Sequence, residues 1–326
     1  MTVLVTGAAG FIGYHVCKAL VERGDKVLGV DNINDYYDTE LKKNRIKQLT
    51  GRNGFSFEQL DITSEADLAT AASTYGPIKR VVHLAAQAGV RHSIDNPMSY
   101  IQANLVGHAT IVELCRRSDE IDHLVYASSS SVYGGNTKLP FAIEDRVDRP
   151  LSLYAATKKA DELMSHAYSH LYDLPQTGLR FFTVYGPWGR PDMAMWKFTK
   201  AILAGEPIRV FNHGDMKRDF TYIDDIVAGI LASLDNPPVR TNGAAPYRLY
   251  NIGNHRSEPL LKLIEILEEA IGQKAERLLE PMQPGDVKES FADIDDIRRD
   301  VGYEPTTPIE VGVPKFVDWY RSYHSV

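Results

Sequence analysis

Up to Phe182 the chain alternates short β-branched runs with longer amphipathic stretches, and that alternation leaves few folds open. Val3–Val5, Val27–Val30, Phe55–Gln59, Val81–His83, Leu124–Ala127 and Gly178–Phe182 read as strands. Residues 12–23, 37–49, 65–75, 97–117 and 153–172 read as the helices between them. Strands that are apolar along their length, each followed by a helix, belong to a parallel sheet covered on both faces. The expected class is therefore α/β, a doubly wound parallel sheet with a smaller mixed C-terminal domain. Beyond Thr183 the texture changes. Gly and Pro punctuate the chain at Tyr185-Gly186-Pro187, Gly205-Glu206-Pro207, Asn236-Pro237-Pro238 and Gln283-Pro284-Gly285-Asp286. The spacing predicts a sheet domain over 1–183, with later segments returning to it, and a substrate domain mainly over 184–326.

The first strand runs into Thr6-Gly7-Ala8-Ala9-Gly10-Phe11-Ile12-Gly13, which opens the first helix. In such a Rossmann turn the first glycine permits the bend, the second lets backbone approach a pyrophosphate, and the third lets helix and sheet pack closely. The pyrophosphate then meets the free N–H groups of a helix N-terminus. The cofactor-binding set therefore includes Gly7, Gly10, Phe11, Ile12 and Gly13. The competing reading, a glycine turn without ligand, lacks a reason for Asp31, which ends the second strand 18 residues after Gly13. A carboxylate there accepts hydrogen bonds from ribose hydroxyls and repels a 2′-phosphate, so NAD is favoured over NADP. Lys42, Lys43 and Arg45 lie downstream and could soften that repulsion. Asp61 and Ile62 end the third strand, where an adenine contact competes with a plain turn-starting Asp. Leu84, Ala85, Ala86 and Gln87 follow the fourth strand, and their small neighbours would let backbone lie along a dinucleotide.

Tyr154 and Lys158 stand four apart in a helical pattern, on one face. A neighbouring ammonium stabilises a phenolate, and a phenolate can take a proton from a sugar hydroxyl as hydride leaves the same carbon. Such a pair also occurs by chance. Here Ser128-Ser129-Ser130-Ser131-Val132-Tyr133-Gly134 follows the fifth strand, at the carboxyl edge where open α/β sheets bind ligands. A bare serine-rich turn is the competing reading.

Together TGAAGFIG, LAAQAGVRHS, SSSSVYG, the YxxxK pair and RDFTYIDDI resemble the extended short-chain dehydrogenase/reductase family over nearly the whole chain. Within it the chain looks like the nucleotide-sugar epimerases, and most like those acting on UDP-glucuronate. The resemblance implies Ser129 as catalytic hydroxyl, Tyr154 as acid/base and Lys158 as its helper and a holder of the nicotinamide ribose. It adds Asn32, Asn104 and Phe181 to the cofactor contacts, and Arg91 to the substrate contacts. Sugar-nucleotide dehydratases of the family carry an Asp-Glu pair just before VYG, and the decarboxylases a glutamate; this chain has Ser130 and Ser131 there. Without a carboxylate, elimination lacks its acid/base, and C4 epimerisation through a transient 4-ketone remains. The two hydroxyls suit a sugar carboxylate better than a CH₂OH. Thr183 replaces the Asn of galactose epimerases, and Arg190 matches an arginine of the glucuronate subgroup, against a reading as a loop charge.

Toward the nucleotide, Arg218 matches the arginine that meets the substrate diphosphate, and Asp286 the aspartate that holds the uridine ribose. Lys197 is either a substrate contact or a solvated helix charge. Asp224 and Asp225 are expected to cap the helix that follows. The implied reaction is UDP-glucuronate to UDP-galacturonate; the rivals are a UDP-glucose or UDP-N-acetylhexosamine 4-epimerase and a non-catalytic NAD-binding regulator.

A net charge of −7 argues against nucleic acid as partner. Cys17 and Cys115 are the only cysteines and form no CxxC, so no metal site and two free thiols are expected. No apolar run reaches the length of a membrane span, and the chain opens directly on a strand, so a cytoplasmic protein without a membrane partner is expected. Helices near 97–117 and 153–172 carry apolar residues beyond one sheet-facing stripe, which points to a homodimer.

Overall fold

The computed structural model describes residues 1–283 and 285–326. The first part of the chain runs β1 (Thr2–Thr6), α1 (Phe11–Glu22), β2 (Lys26–Asp31), α2 (Thr39–Leu49), β3 (Phe55–Gln59), α3 (Glu65–Thr74) and β4 (Arg80–His83). Two short helices, α4 (His92–Asp95) and α5 (Pro97–Tyr100), precede a π-helical segment, Ile101–Val106, and α6 (Gly107–Arg117). Then come β5 (His123–Ser129), a 3₁₀ turn at Ser130–Tyr133, α7 (Leu153–Tyr172), β6 (Gln176–Phe181) and β7 (Thr183–Tyr185). The remainder runs α8 (Ala194–Ala204), β8 (Ile208–Val210), β9 (Lys217–Arg218), β10 (Phe220–Tyr222), α9 (Ile223–Asp235), β11 (Tyr247–Ile252) and α10 (Leu260–Ile271), and closes with α11 (Asp295–Val301) and α12 (Ile309–His324).

Seven of these strands form one parallel sheet in the order β11-β6-β5-β4-β1-β2-β3. Successive side chains of a strand point to opposite faces, and both faces here are covered. Val3, Val5, Val27, Val82 and Val125 pack with Phe11, Val16, Cys17 and Leu20 of α1 and with Ile226 and Ile230 of α9. Leu4, Leu28, Val81 and Leu124 pack with Leu68 of α3 and Ile111, Val112 and Cys115 of α6. Burying each such side chain contributes about 1.5–3 kcal/mol, which is why these strands carry no polar face. Strand order reverses between β1 and β4, and open sheets bind ligands at such a point.

The sequence reading expects later segments to return to the sheet without locating them, and β11 is one of these. It joins β6 in register from Tyr247↔Gln176 to Ile252↔Phe181, and α9 packs on α1 and β5, so the chain beyond 184 contributes to the sheet as well as to the smaller part. The helix predicted over 97–117 is divided by its π segment. The wider turn aims Asn104 at the loop after β4. Asp224 and Asp225 do not cap α9, which has Tyr222 at its cap and both acids in its first turn. From there Asp225 reaches the C-terminal loop and accepts from the Thr306 and Thr307 N–H groups at 3.1 and 3.0 Å.

Helix α7 is inverted in polarity. Its buried side is Ala155, Thr157, Lys158, Asp161, Glu162, Ser165 and Ser169, while Leu163, Leu171 and Tyr172 are exposed. Directional bonds hold it to its neighbours. Arg180 of β6 donates to both Glu162 oxygens at 2.8 and 2.9 Å, and the Ser128 hydroxyl donates to Glu162 at 2.7 Å. Gln176 donates to Ser165 O and Ser169 Oγ, and His108 of α6 pairs with Ser165 Oγ at 2.8 Å.

Candidate active site

The carboxyl edge of the sheet and the 184–290 stretch enclose a cleft of about 1030 Å³. That stands at the upper edge of the roughly 300–1,000 Å³ of a site for one drug-sized ligand, and its lining runs from the Gly7 turn to Arg218 and Asp286.

One end is built on the β1–α1 turn. Gly7 has φ +73°, and a Cβ on it would lie 2.8 Å from the Ala85 nitrogen. A Cβ on Gly13 would lie 2.0 Å from the Gly7 carbonyl oxygen. Only glycine lets α1 approach the turn this closely. Gly10 caps α1 without a side-chain acceptor, so the helix opens on the cleft with its first N–H groups free. Thr6 Oγ1 accepts from the Leu84 and Ala85 N–H groups and ties this turn to the loop after β4. Asp31 accepts from Ala9 N at 3.1 Å and Ile33 N at 2.8 Å; burial nonetheless pushes its carboxyl above the usual range. Asn32 donates to Asp61 at 2.9 Å. Gln87 lines the cleft, and its buried Nε2 has no hydrogen-bond partner within range among the described residues. A glycine cradle that a Cβ would fill, an open helix N-terminus, an acid at the β2 end and an unpartnered amide together fit a dinucleotide.

The middle of the cleft holds the reactive side chains. Ser152 caps α7 by accepting from Ala155 N at 3.1 Å. Tyr154 therefore sits in the first turn, where backbone dipoles favour negative charge, with its ring edge-on to Tyr100. Lys158 follows one turn later and donates to the Ala127 carbonyl at 3.0 Å. Ser129 ends β5. Its Oγ accepts from Ser131 N at 3.2 Å and from Ser131 Oγ at 2.9 Å. A hydroxyl has two acceptor positions and one proton, so Ser129 is left as a donor. Ser130 and Ser131 continue along the wall, with Thr183 of β7 nearby.

At the other end Arg218 donates to Asp286 Oδ1 at 2.6 Å, and Arg91 lies 3.8 Å from Oδ2 of the same acid. Lys197 of α8 lines this part without an ion pair among the described residues. Pro284, two residues before Asp286 in the sequence, lies outside the described residues.

Of the catalytic, cofactor and substrate residues expected from sequence, all but one line this cleft, including Phe11, Ile12, Ile62, Leu84, Ala86 and Phe181. The exception is Asn104. It is buried beneath the wall, accepting from Gln87 N and donating to Gln87 O and Thr157 Oγ1, so its polar atoms shape the wall rather than face the cleft. Arg190 lines the cleft with its Nε–Nη2 edge held by Asp192: it donates to both oxygens of that acid at 3.0 and 2.5 Å, and Tyr36 donates to Asp192 as well. Burial raises the Asp192 carboxyl, and the Arg190 guanidinium more than reverses this, holding it below the usual range. Among the basic residues near Asp31, Arg45 is fully buried and spends its fork on the Ala9, Trp188 and Gly189 carbonyls, and Lys43 is at the surface with Glu40. Only Lys42 reaches the cleft, where it binds Asn34. Sequence reasoning missed Asn34, Tyr36, Asp192 and Phe211. The first two follow Asp31 closely enough to be found; the others have no local signal.

Among the described residues no cluster of side chains forms a metal site, no helix is long and apolar enough to cross a membrane, and both cysteines are buried and unpaired.

Residues 3–253 match the NAD dependent epimerase/dehydratase family. The chain is 51% identical to Protein CapI of Staphylococcus aureus over 99% of both chains. It is 49% identical to UDP-glucuronate 4-epimerase 2 of Arabidopsis thaliana, over 99% of this chain and 76% of that one. The crystal structure of UDP-glucuronic acid 4-epimerase from Bacillus cereus, in complex with UDP-glucuronic acid and NAD, superposes with a TM-score of 0.90 at 34% identity, covering 99% of this chain and all of the other.

Proposed function

The chain belongs to the NAD dependent epimerase/dehydratase family, and from that premise we propose that it is a UDP-glucuronate 4-epimerase, inverting C4 of the sugar acid to give UDP-galacturonate through a transient 4-ketone. The observation that carries this is the meeting of Tyr154, Lys158 and Ser129 with Ser130 and Ser131 in one cleft, in a stretch that offers no carboxylate for elimination. The Bacillus cereus structure with UDP-glucuronic acid and NAD supports it.

Tyr154 takes the proton of the C4 hydroxyl and, once the ketone has turned its other face toward the cofactor, returns one to the C4 oxygen. Lys158 places its ammonium one helical turn from the phenol and holds the nicotinamide ribose, and Ser129 donates to the C4 oxygen. NAD, held by Gly7, Gly10, Gly13, Asp31 and the loop from Leu84 to Gln87, supplies hydride acceptance and return at C4 and is unchanged over the cycle. Ser130, Ser131 and Thr183 face the sugar's acid end. Arg218, Arg91 and Asp286 hold the diphosphate and uridine, so residues 184–326 serve mainly as the substrate part and 1–183 as the cofactor part. Arg190, anchored to Asp192 through Nε and Nη2, keeps its Nη1 donors for positioning the substrate.

We further read the protein as a cytoplasmic homodimer. Met98, Val106, Leu163 and Leu171 expose apolar side chains between α5 and α7, a face that needs covering; its mass in solution tests this.

Incubation with UDP-glucuronate and no added cofactor, followed by NMR of the sugar, is the direct test. An equilibrium mixture with UDP-galacturonate is expected, and Tyr154→Phe is expected to lower kcat by about 10²–10⁴-fold with the fold intact. No conversion by the NAD-loaded protein refutes the proposal.

A further inference from the structure

Helix α7 places a second ionisable group against Lys158. Asp161, one turn on, points to the same buried side, and its Oδ2 lies 3.1 Å from the Lys158 ammonium. The pair is out of solvent, with side-chain exposures of 4% for Lys158 and 0% for Asp161. Asp161 Oδ1 has no partner, so Lys158 is the one polar side chain that this carboxylate binds among the described residues. A carboxylate with no other bond, buried on the helix that carries the reacting pair, is costly unless the ammonium compensates it.

The ammonium has three N–H groups. Ala127 O takes one and Asp161 another. Lys158 also lines the cleft, so the third is left for what the cleft holds. Two fixed acceptors behind a flexible four-carbon stem determine where that third N–H points.

We propose that Asp161 is a positioning residue for the reacting pair: with the Ala127 carbonyl it orients the Lys158 ammonium so that one N–H is presented to the dinucleotide and the charge stays beside Tyr154. The inference rests on the role given above to Tyr154 and Lys158. Burial pushes the Asp161 carboxyl up to about 6, against the pull of Lys158, so at neutral pH it is mainly the anion that the pairing needs.

The test compares wild type with Asp161→Asn, which keeps the shape and one acceptor but removes the charge. The first readout is the exchange of protein-bound NAD with added deuterated NAD, followed by mass spectrometry; the second is kcat and KM for UDP-glucuronate. Exchange about 10-fold faster and kcat about 10-fold lower, with KM within about twofold, is the expected result for weakening one charge-assisted hydrogen bond. In a Lys158→Met background the same change should leave exchange unaltered. Wild-type exchange and kcat in Asp161→Asn, or an equal effect with Lys158 absent, overturns the assignment. If Asp161→Asn does not fold, recovery of the fold in the double variant supports the coupling, and failure of both makes Asp161 a core residue only and overturns it. If wild type does not convert UDP-glucuronate, the functional reading fails separately, while exchange still tests Asp161.

Discussion

Replacing Gly13 by alanine tests the link between the glycine turn and the cofactor. The new methyl would start 2.0 Å from the Gly7 carbonyl oxygen, 2.7 Å from its carbon and 3.1 Å from the Ala8 Cα. All three are backbone atoms, so no side chain can swing aside. The N-terminus of α1 must retreat by about 1 Å before the contact becomes tolerable, and over-packing of this kind costs about 1–3 kcal/mol. The same retreat moves the free N–H groups of α1 away from a bound pyrophosphate. Losing one hydrogen bond to a charged group costs about 1.5–3 kcal/mol, which is a 10- to 100-fold rise in Kd. The assays are isothermal titration of the stripped protein with NAD and thermal unfolding without it. A Kd raised at least about 10-fold and a Tm lowered by roughly 2–6 °C are expected. Unchanged Kd and Tm would show that the turn carries slack, and the argument from close approach would fall.

Other expectations follow from the same geometry. The ketone intermediate is a β-keto acid that loses CO₂ when the carboxylate bond aligns with the carbonyl π system, and the serine hydroxyls are placed to hold it out of line; a Ser130→Ala, Ser131→Ala double variant should release UDP-pentose, detected by chromatography, and an active variant with no pentose refutes the role. Burial holds His15 and His123 at about 4 and His108 at about 3. These rings are protonated more readily unfolded, so their contribution to stability is full above about pH 6.5 and is lost as pH falls through the folded values. At pH 5 each lowers stability by about 2 kcal/mol. Asp161 and Asp219, pushed up to about 6 by burial, oppose this with smaller terms in that window. A Tm that falls from pH 7.5 to 5 is the net expectation, and a flat or rising Tm contradicts it. Asp219 accepts from the Asn254, His255 and Ala292 N–H groups and the Thr221 hydroxyl; Asp219→Ala strands these donors and should cost about 3 kcal/mol or more in urea unfolding, with a loss under 1 kcal/mol counting against it.

Much of this was legible in the chain because it is periodic or local. Phe55–Gln59 and residues 153–172 are bounded in the structure as their patterns predict, and the glycine turn and Asp31 stand where their spacing puts them. What escaped depends on contacts between distant residues. Tyr247–Ile252 follows a loop-rich stretch with no helix pattern immediately beside it in sequence to mark a βα unit, and its pairing with β6 places it in the sheet. Asn104 carries a polar side chain of the right type, but the π segment turns it under the wall. The aspartate two residues beyond Arg190 gives no sign in one dimension that it holds one edge of the guanidinium. On α7 the usual rule, apolar inward, is reversed, so the pattern gives the helix but not the side that faces the sheet.

That reversal has a mechanical consequence. Greasy interfaces let a helix slip or rotate by small amounts at little cost, because one methyl contact is much like the next. Here the shaft bearing Tyr154 is keyed to β6 through a two-toothed guanidinium–carboxylate joint at Arg180 and Glu162, and a key fits at one angle. The phenol's aim is thus set by a joint between α7 and β6, away from the pocket's own lining, and changes at Arg180 should misdirect Tyr154 although no residue lining the pocket has been replaced.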